Sequence, residues 1–258
     1  MENQIETDIV EVIKEKKVAY QRELQVCLEK KHSHWDVYNA LKVLEKKYLC
    51  SRFYRGRKWY WLDRVRWVDV KTIADKVSDL MDVVDNHPRR YEHQGVLYFD
   101  YAEFLVERAL KQAGYVVVAK DTYYFNGVVY VPPAGRGRGR PPDLDFIVNV
   151  PEKKVFLGVQ VKNQLRYPLV EDLDMFLDIC QVLGVKPLLI TRMAHEMQLK
   201  RVFNVGGRFV VFKEYLLKPP FPRDVFHELR VRRGFPIAVY TRVPGFLVDR
   251  LIQVKRSL

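Results

Sequence analysis

The sequence predicts a mixed α/β protein in two parts: a small α+β module at the N-terminus, then a larger α/β domain with a central mixed sheet flanked by helices. Three observations carry that expectation. Apolar residues recur at helical spacing through Leu44 and then switch to a period of two between Tyr48 and Leu62. From Tyr98 onward helical and strand patterns alternate, as they do in α/β layer architectures. At 258 residues and 48% hydrophobic, the chain is also long and apolar enough to bury a full core.

Ile5, Ile9, Val12 and Ile13 define an amphipathic helix over 5–16, and Leu24, Cys27 and Leu28 a second over 20–30. Ser33 is a suitable N-cap for a third, with Val37, Ala40, Leu41 and Leu44 on its inner face and His34, Asp36, Tyr38, Asn39 and Lys42 outward. Residues 48–54 and 58–62 read as strands around an Arg55-Gly56-Arg57 turn, where Gly56 can supply a positive φ. Residues 70–84 form a connecting helix, stopped by His87-Pro88 because the residue before a proline is pushed out of the α region.

In the larger part, a helix over 99–113 ends at Gly114, and 115–119 is a β-branched strand. Residues 146–150 and 155–162 form a hairpin. A helix over 169–183 closes at Gly184, and 186–191 and 208–212 are further strands. Residues 237–240 form a candidate strand in a basic tail whose role the sequence does not define. The boundaries that follow are 1–66, a helical linker 67–95, 96–218, and a basic extension 219–258.

The formal net charge of +12 favours polyanionic partners and raises their encounter rate. The cysteines Cys27, Cys50 and Cys180 are far apart, odd in number and form no CxxC pair, so they support neither a disulfide framework nor a cysteine zinc site. The histidines show no ligand spacing. The charged N-terminus lacks the apolar core of a signal peptide, and no apolar run reaches the roughly 18 residues of a membrane span. The expectation is a cytoplasmic, nucleoid-associated protein with no membrane partner.

Three helices followed by a basic-tipped hairpin resemble a winged helix. The resemblance implies that the third helix enters the major groove, presenting Asn39 and Lys42, while Arg52, Arg55, Arg57 and Lys58 of the hairpin touch the DNA backbone. Winged helices also serve as protein-interaction modules, and the basic hairpin favours nucleic acid.

Four polar residues fall in an informative order. Glu103 lies on a helix, Asp145 opens a strand, and Gln160 and Lys162 sit two apart on the next strand, on one face. The segments Pro142-Asp143-Leu144-Asp145-Phe146-Ile147-Val148 and Gly158-Val159-Gln160-Val161-Lys162 resemble the PD-(D/E)xK nuclease superfamily, a restriction-endonuclease-like fold. The Gln-x-Lys form, with Glu103 eleven residues before Gly114-Tyr115, is similar to Mrr-like restriction endonucleases. That resemblance implies a Mg²⁺-dependent DNA endonuclease, with Mn²⁺ able to substitute, acting on double-stranded DNA, and a homodimer wherever both strands are cut. The implied metal ligands are Asp145, the Gln160 amide oxygen, the Val161 carbonyl and Glu103, with Asp143 the alternative to Asp145; Lys162 polarises the attacking water. A glutamine at position 160 also occurs in inactive relatives, so a non-catalytic DNA-binding scaffold stays open, as does a structure-specific junction nuclease.

Arg136, Arg138 and Arg140 alternate with glycines just before Asp143, either as an AT-hook-like minor-groove element or as a phosphate-clamping loop, and Arg166 extends that basic path.

Overall fold

The computed structural model describes residues 4–132 and 142–258, and the loop carrying Arg136, Arg138 and Arg140 lies outside them. The chain forms two compact units, one of residues 1–87 with 220–237, the other of 88–219 with 238–258. No helix among the described residues is long and apolar enough to cross a membrane.

The first unit opens with α1 (Gln4–Lys16), β1 (Val18–Tyr20), α2 (Gln21–Leu28), α3 (His34–Lys47), β2 (Leu49–Tyr54) and β3 (Arg57–Leu62). Ile5, Ile9, Ile13, Leu24, Val37, Leu41 and Leu44 make its core with Leu49 and Tyr60 of the hairpin. The Ser33 hydroxyl accepts the Asp36 N–H at 3.1 Å and so caps α3. Arg55 and Gly56 both have positive φ, which gives the tight two-residue hairpin turn between Tyr54 and Arg57. β1 pairs antiparallel with β3 to complete a three-stranded sheet in the order β1-β3-β2. Three residues carry no readable period, so the sequence does not announce this strand.

Two corrections to the expected boundaries follow. The helix expected as a linker is α4 (Trp67–Asp85), and it belongs to this unit, burying Val70, Ala74, Val77, Met81 and Val84. The tail is not one extension either. Residues 220–237 return to this unit through a short helix, Arg223–His227, and a π-helical turn, Glu228–Arg232. There Arg233 donates to the Glu23 carboxylate at 2.7 Å and to the Val18 carbonyl at 3.1 Å, and Lys16 lies 3.4 Å from Glu23.

The second unit starts with a hairpin, β4 (Tyr91–His93) and β5 (Val96–Tyr98), followed by α5 (Tyr101–Gln112), β6 (Val116–Thr122) and a small hairpin, β7 (Tyr124–Phe125) with β8 (Val128–Val129). Then come β9 (Leu144–Val150), β10 (Val155–Lys162), α6 (Val170–Val182), β11 (Lys186–Thr191), α7 (Glu196–Asn204) and β12 (Arg208–Val211). The central sheet is mixed, in the order β12-β11-β10-β9-β6, with β10, β11 and β12 parallel and β9 antiparallel to both its neighbours.

One face of that sheet packs on α5 and a C-terminal helix, Gly245–Arg256, through Leu105, Phe146, Val159, Leu188 and Leu251. The other face packs on α6 and α7 through Ile147, Phe176, Ile179 and Val202. Gly114 and Gly184 take positive φ where α5 and α6 end. The protein is therefore mixed α/β around a central mixed sheet, as the alternation of patterns predicts.

Candidate functional site

The site forms where β9 and β10 meet the start of α5. The β9–β10 register runs from Val155 opposite Val150 to Val159 opposite Phe146, which brings Asp145 alongside Gln160 one step further on. There the ladder gives way to a side chain. The Asp145 Oδ2 accepts the Val161 backbone N–H at 2.5 Å and the Gln160 amide at 2.8 Å. These two hydrogen bonds fix the carboxyl against the strand.

Glu103 reaches the same neighbourhood from the first turn of α5. Asp100 caps that helix by accepting the Ala102 N–H at 2.8 Å, and the Glu103 carboxylate accepts the Phe99 N–H at 3.1 Å. Glu103 thus has a structural task, tying down the helix entrance much as a capping box does. Burial pushes its carboxyl up to about 8, helped next by the negative charge of Asp145. Burial likewise pushes Asp145 up to about 7, against the Val161 N–H and the Lys162 charge, which pull it down. Two acids held this close and this far from water resist joint ionisation.

Four of the expected residues, Glu103, Asp145, Gln160 and Lys162, are therefore brought together. Asp143 stands beside them as a negative charge that raises Asp145. Three neighbours lie outside the sequence expectation. Asn163 is buried; its amide donates to Asp100 at 3.1 Å and to the Leu216 carbonyl at 2.8 Å, and its oxygen accepts the Leu216 N–H at 2.8 Å. Asp121, near the end of β6, adds negative charge felt by both Glu103 and Asp145. Lys120 sets its ammonium 3.1 Å from the centre of the Tyr98 ring, and burial lowers its pKa. A helix beginning Asp-x-x-Glu was the one signal that could have located Asp100.

Among the described residues no three His, Cys, Asp or Glu side chains gather as a metal site. A cation here would rest on Asp145 and Glu103, completed by the Gln160 amide oxygen, the Val161 carbonyl and water. That all-oxygen set suits Mg²⁺, which commonly takes one or two carboxylates and keeps several waters. Burial that drives both carboxyls toward neutrality is what a divalent charge would reverse, so the residues present fit such an ion.

The expected DNA-contacting residues of the first unit fare differently. Asn39 and Lys42 are exposed on α3, with the Lys42 ammonium 4.2 Å from the centre of the Tyr38 ring. His34, expected outward, is buried: its ring meets Arg22 and Glu29 instead. Trp35 takes the outer position, 63% exposed and packed on Tyr38. Arg52 stacks over Trp67 at 4.6 Å, and Lys58 pairs with Glu45 at 2.7 Å. Arg55 and Arg57 are bonded to carboxylates of α4. In the second unit Arg166 is exposed.

Models of known protein families gave no match to the chain, and neither the curated proteins nor the solved structures gave one.

Proposed function

We propose that this chain is a metal-dependent DNA endonuclease, with a nuclease unit of PD-(D/E)xK type in its Gln-x-Lys form and a winged helix that targets double-stranded DNA. The observation that carries the reading is the Asp145 carboxylate, held on the Gln160 amide and the Val161 N–H at the end of a mixed sheet, with Glu103 beside it. A fortuitous Gln-x-Lys would not require a buried acid across the strand and a second acid from a separate helix.

Asp145 and Glu103 would hold Mg²⁺ or Mn²⁺ with the Gln160 oxygen and the Val161 carbonyl. A bound divalent cation supplies charge to neutralise the phosphate and lowers the pKa of a coordinated water. The residues do the rest. The amide of Gln160 fixes the orientation of Asp145, so the carboxylate needs little reorganisation. Lys162 follows Gln160 by two on the same strand face, where its ammonium can orient the attacking water and stabilise charge developing on the phosphate.

Incubating supercoiled plasmid with Mg²⁺, Mn²⁺ or EDTA tests this, using wild type, Asp145→Ala and Lys162→Ala. Metal-dependent nicking or linearisation, lost in both variants, is the expected result. A second reading, a DNA-binding scaffold without cleavage, draws support from Gln160, which leaves the site one negative charge short of an acidic pair. Salt-sensitive DNA binding with no cleavage in any metal would favour it over the nuclease.

A further inference from the structure

Within the first unit, the hairpin tip that the sequence offers to DNA is already engaged. Arg55 donates to Asp79 at 2.6 Å and to Asp82 at 2.8 Å, and Arg57 donates to Asp82 at 3.1 Å and Asp85 at 3.0 Å. Further along, Asp75 accepts the Tyr54 hydroxyl at 2.6 Å and the Lys71 ammonium at 2.8 Å, and lies 3.9 Å from Arg55. These acids recur at helical spacing and so form one stripe of α4. The adjoining stripe of Val70, Ala74, Val77, Met81 and Val84 is buried, which fixes the acidic stripe in place against the hairpin.

The array resembles what a duplex presents. A helix rising about 1.5 Å per residue sets one carboxylate roughly every 5 Å, against one phosphate about every 3.4 Å along a DNA strand. Guanidinium forks take carboxylate and phosphate by the same paired geometry. Ion pairs near the surface are individually weak, most so at Arg55, since the Arg57 side chain is only 14% exposed; a denser polyanion that also releases counterions competes with them.

We infer that the acidic face of α4 is an internal competitor for polyanions: it occupies Arg55 and Arg57 in place of backbone phosphates, and a duplex engages the hairpin only by displacing it. The inference rests on the proposed DNA binding by this unit. It differs from ordinary bracing of a helix by ion pairs, because bracing predicts no coupling between the aspartates and DNA affinity through these two arginines.

The test uses the full chain and a short fluorescent duplex in EDTA, with binding followed by anisotropy across a salt series. Asp79→Asn/Asp82→Asn/Asp85→Asn should bind roughly tenfold more tightly at low salt, with a log–log salt slope steeper by about 2 for two further phosphate contacts. Adding Arg55→Ala/Arg57→Ala should abolish that gain, while the same arginine pair changed in wild type should weaken binding by less, because there the aspartates must first be displaced. Asp82→Asn alone, which touches both arginines, should give a smaller gain of the same sign even if the triple variant folds poorly. A gain that survives loss of both arginines, or that Glu171→Gln/Glu196→Gln/Asp249→Asn reproduces, overturns the inference as an effect of net charge. Arginine loss that weakens wild-type binding as much as it weakens the triple variant overturns it too, since the aspartates would then not compete. Absence of duplex binding by every variant would overturn the DNA-binding reading of the unit, and the inference with it.

Discussion

Burial and the charge of a neighbouring acid keep Glu103 and Asp145 protonated at a pH where ordinary carboxyls have long ionised, with folded values near 8 and 7. An acid whose pKa is raised by folding contributes stability that is complete below its unfolded value and is lost as pH rises through the folded one. In EDTA the melting temperature should therefore fall as pH increases from about 5 to above 8, and Asp145→Asn should flatten that fall. Under the proposed metal binding, Mg²⁺ would compete with these protons, and its stabilising shift should grow over the same range. A melting temperature that ignores pH in EDTA, or ignores Mg²⁺ at high pH, would sink this account of the site. Asn163→Ala leaves the Leu216 N–H and carbonyl without their partner and releases Asp100, costing about 1–3 kcal/mol by urea unfolding. It should also raise the Mg²⁺ concentration for half-saturation, because Asp100 caps the helix that carries Glu103. The four clustered residues were legible because each sits at a fixed offset within its own strand or helix. Asn163 was not, since its partners lie 63 and 53 residues away and only the fold brings them together.

Elements were readable in proportion to the apolar stripe they bury. β11 spans Lys186–Thr191 and the β9–β10 hairpin spans 144–162 as their mainly apolar runs predict, with burial nearly continuous along both strands of the hairpin. α7 is nine residues long and buries only Gln198 and Val202, while Met197 and Phe203 are each 59% exposed, so its apolar positions are too few to set it apart from a loop. Its start is marked by the His195 ring accepting the Met197 N–H at 3.2 Å and the Gln198 amide oxygen accepting the His195 N–H at 3.0 Å, and histidine is not a residue that ordinarily signals a helix cap. Gly158 reports on the packing of α6 over β10. A Cβ there would come within 2.8 Å of Cys180 Sγ and Leu144 Cδ1 and 2.9 Å of Val185 Cγ2. Gly158→Ala should accordingly destabilise by about 1–3 kcal/mol, as overpacked cores do. A variant with unchanged urea midpoint would mean that the helix shifts freely over the strand.

At the scale of the whole chain, the order of patterns in the sequence predicts one domain after another, whereas each unit is assembled from two separated segments. The segments of the first are joined by a buried charge cluster together with isolated apolar contacts such as Phe235 on Tyr20, neither of which has a period to read. Burial raises the pKa of Glu23, and Arg233 and then Lys16 oppose that rise. Removing Arg233 would leave Glu23 with one close cation, so Arg233→Ala should cost about 3–5 kcal/mol, and Glu23→Gln in the same chain should restore part of the loss. A fragment of residues 1–66 also lacks α4 and Phe235, which stacks on Tyr20, and should melt lower than the first unit does within the full chain. Equal melting would show that the returning segment adds nothing.

That interleaving bears on the order in which the protein is made. Synthesis delivers residues from the N-terminus at about 5–20 per second, and a contiguous domain can fold as soon as it emerges. Here the first unit must wait for Arg233 and the second for the helix Gly245–Arg256. Neither can finish until residues beyond 219 have left the ribosome, so synthesis halted there yields two incomplete units rather than one finished and one missing.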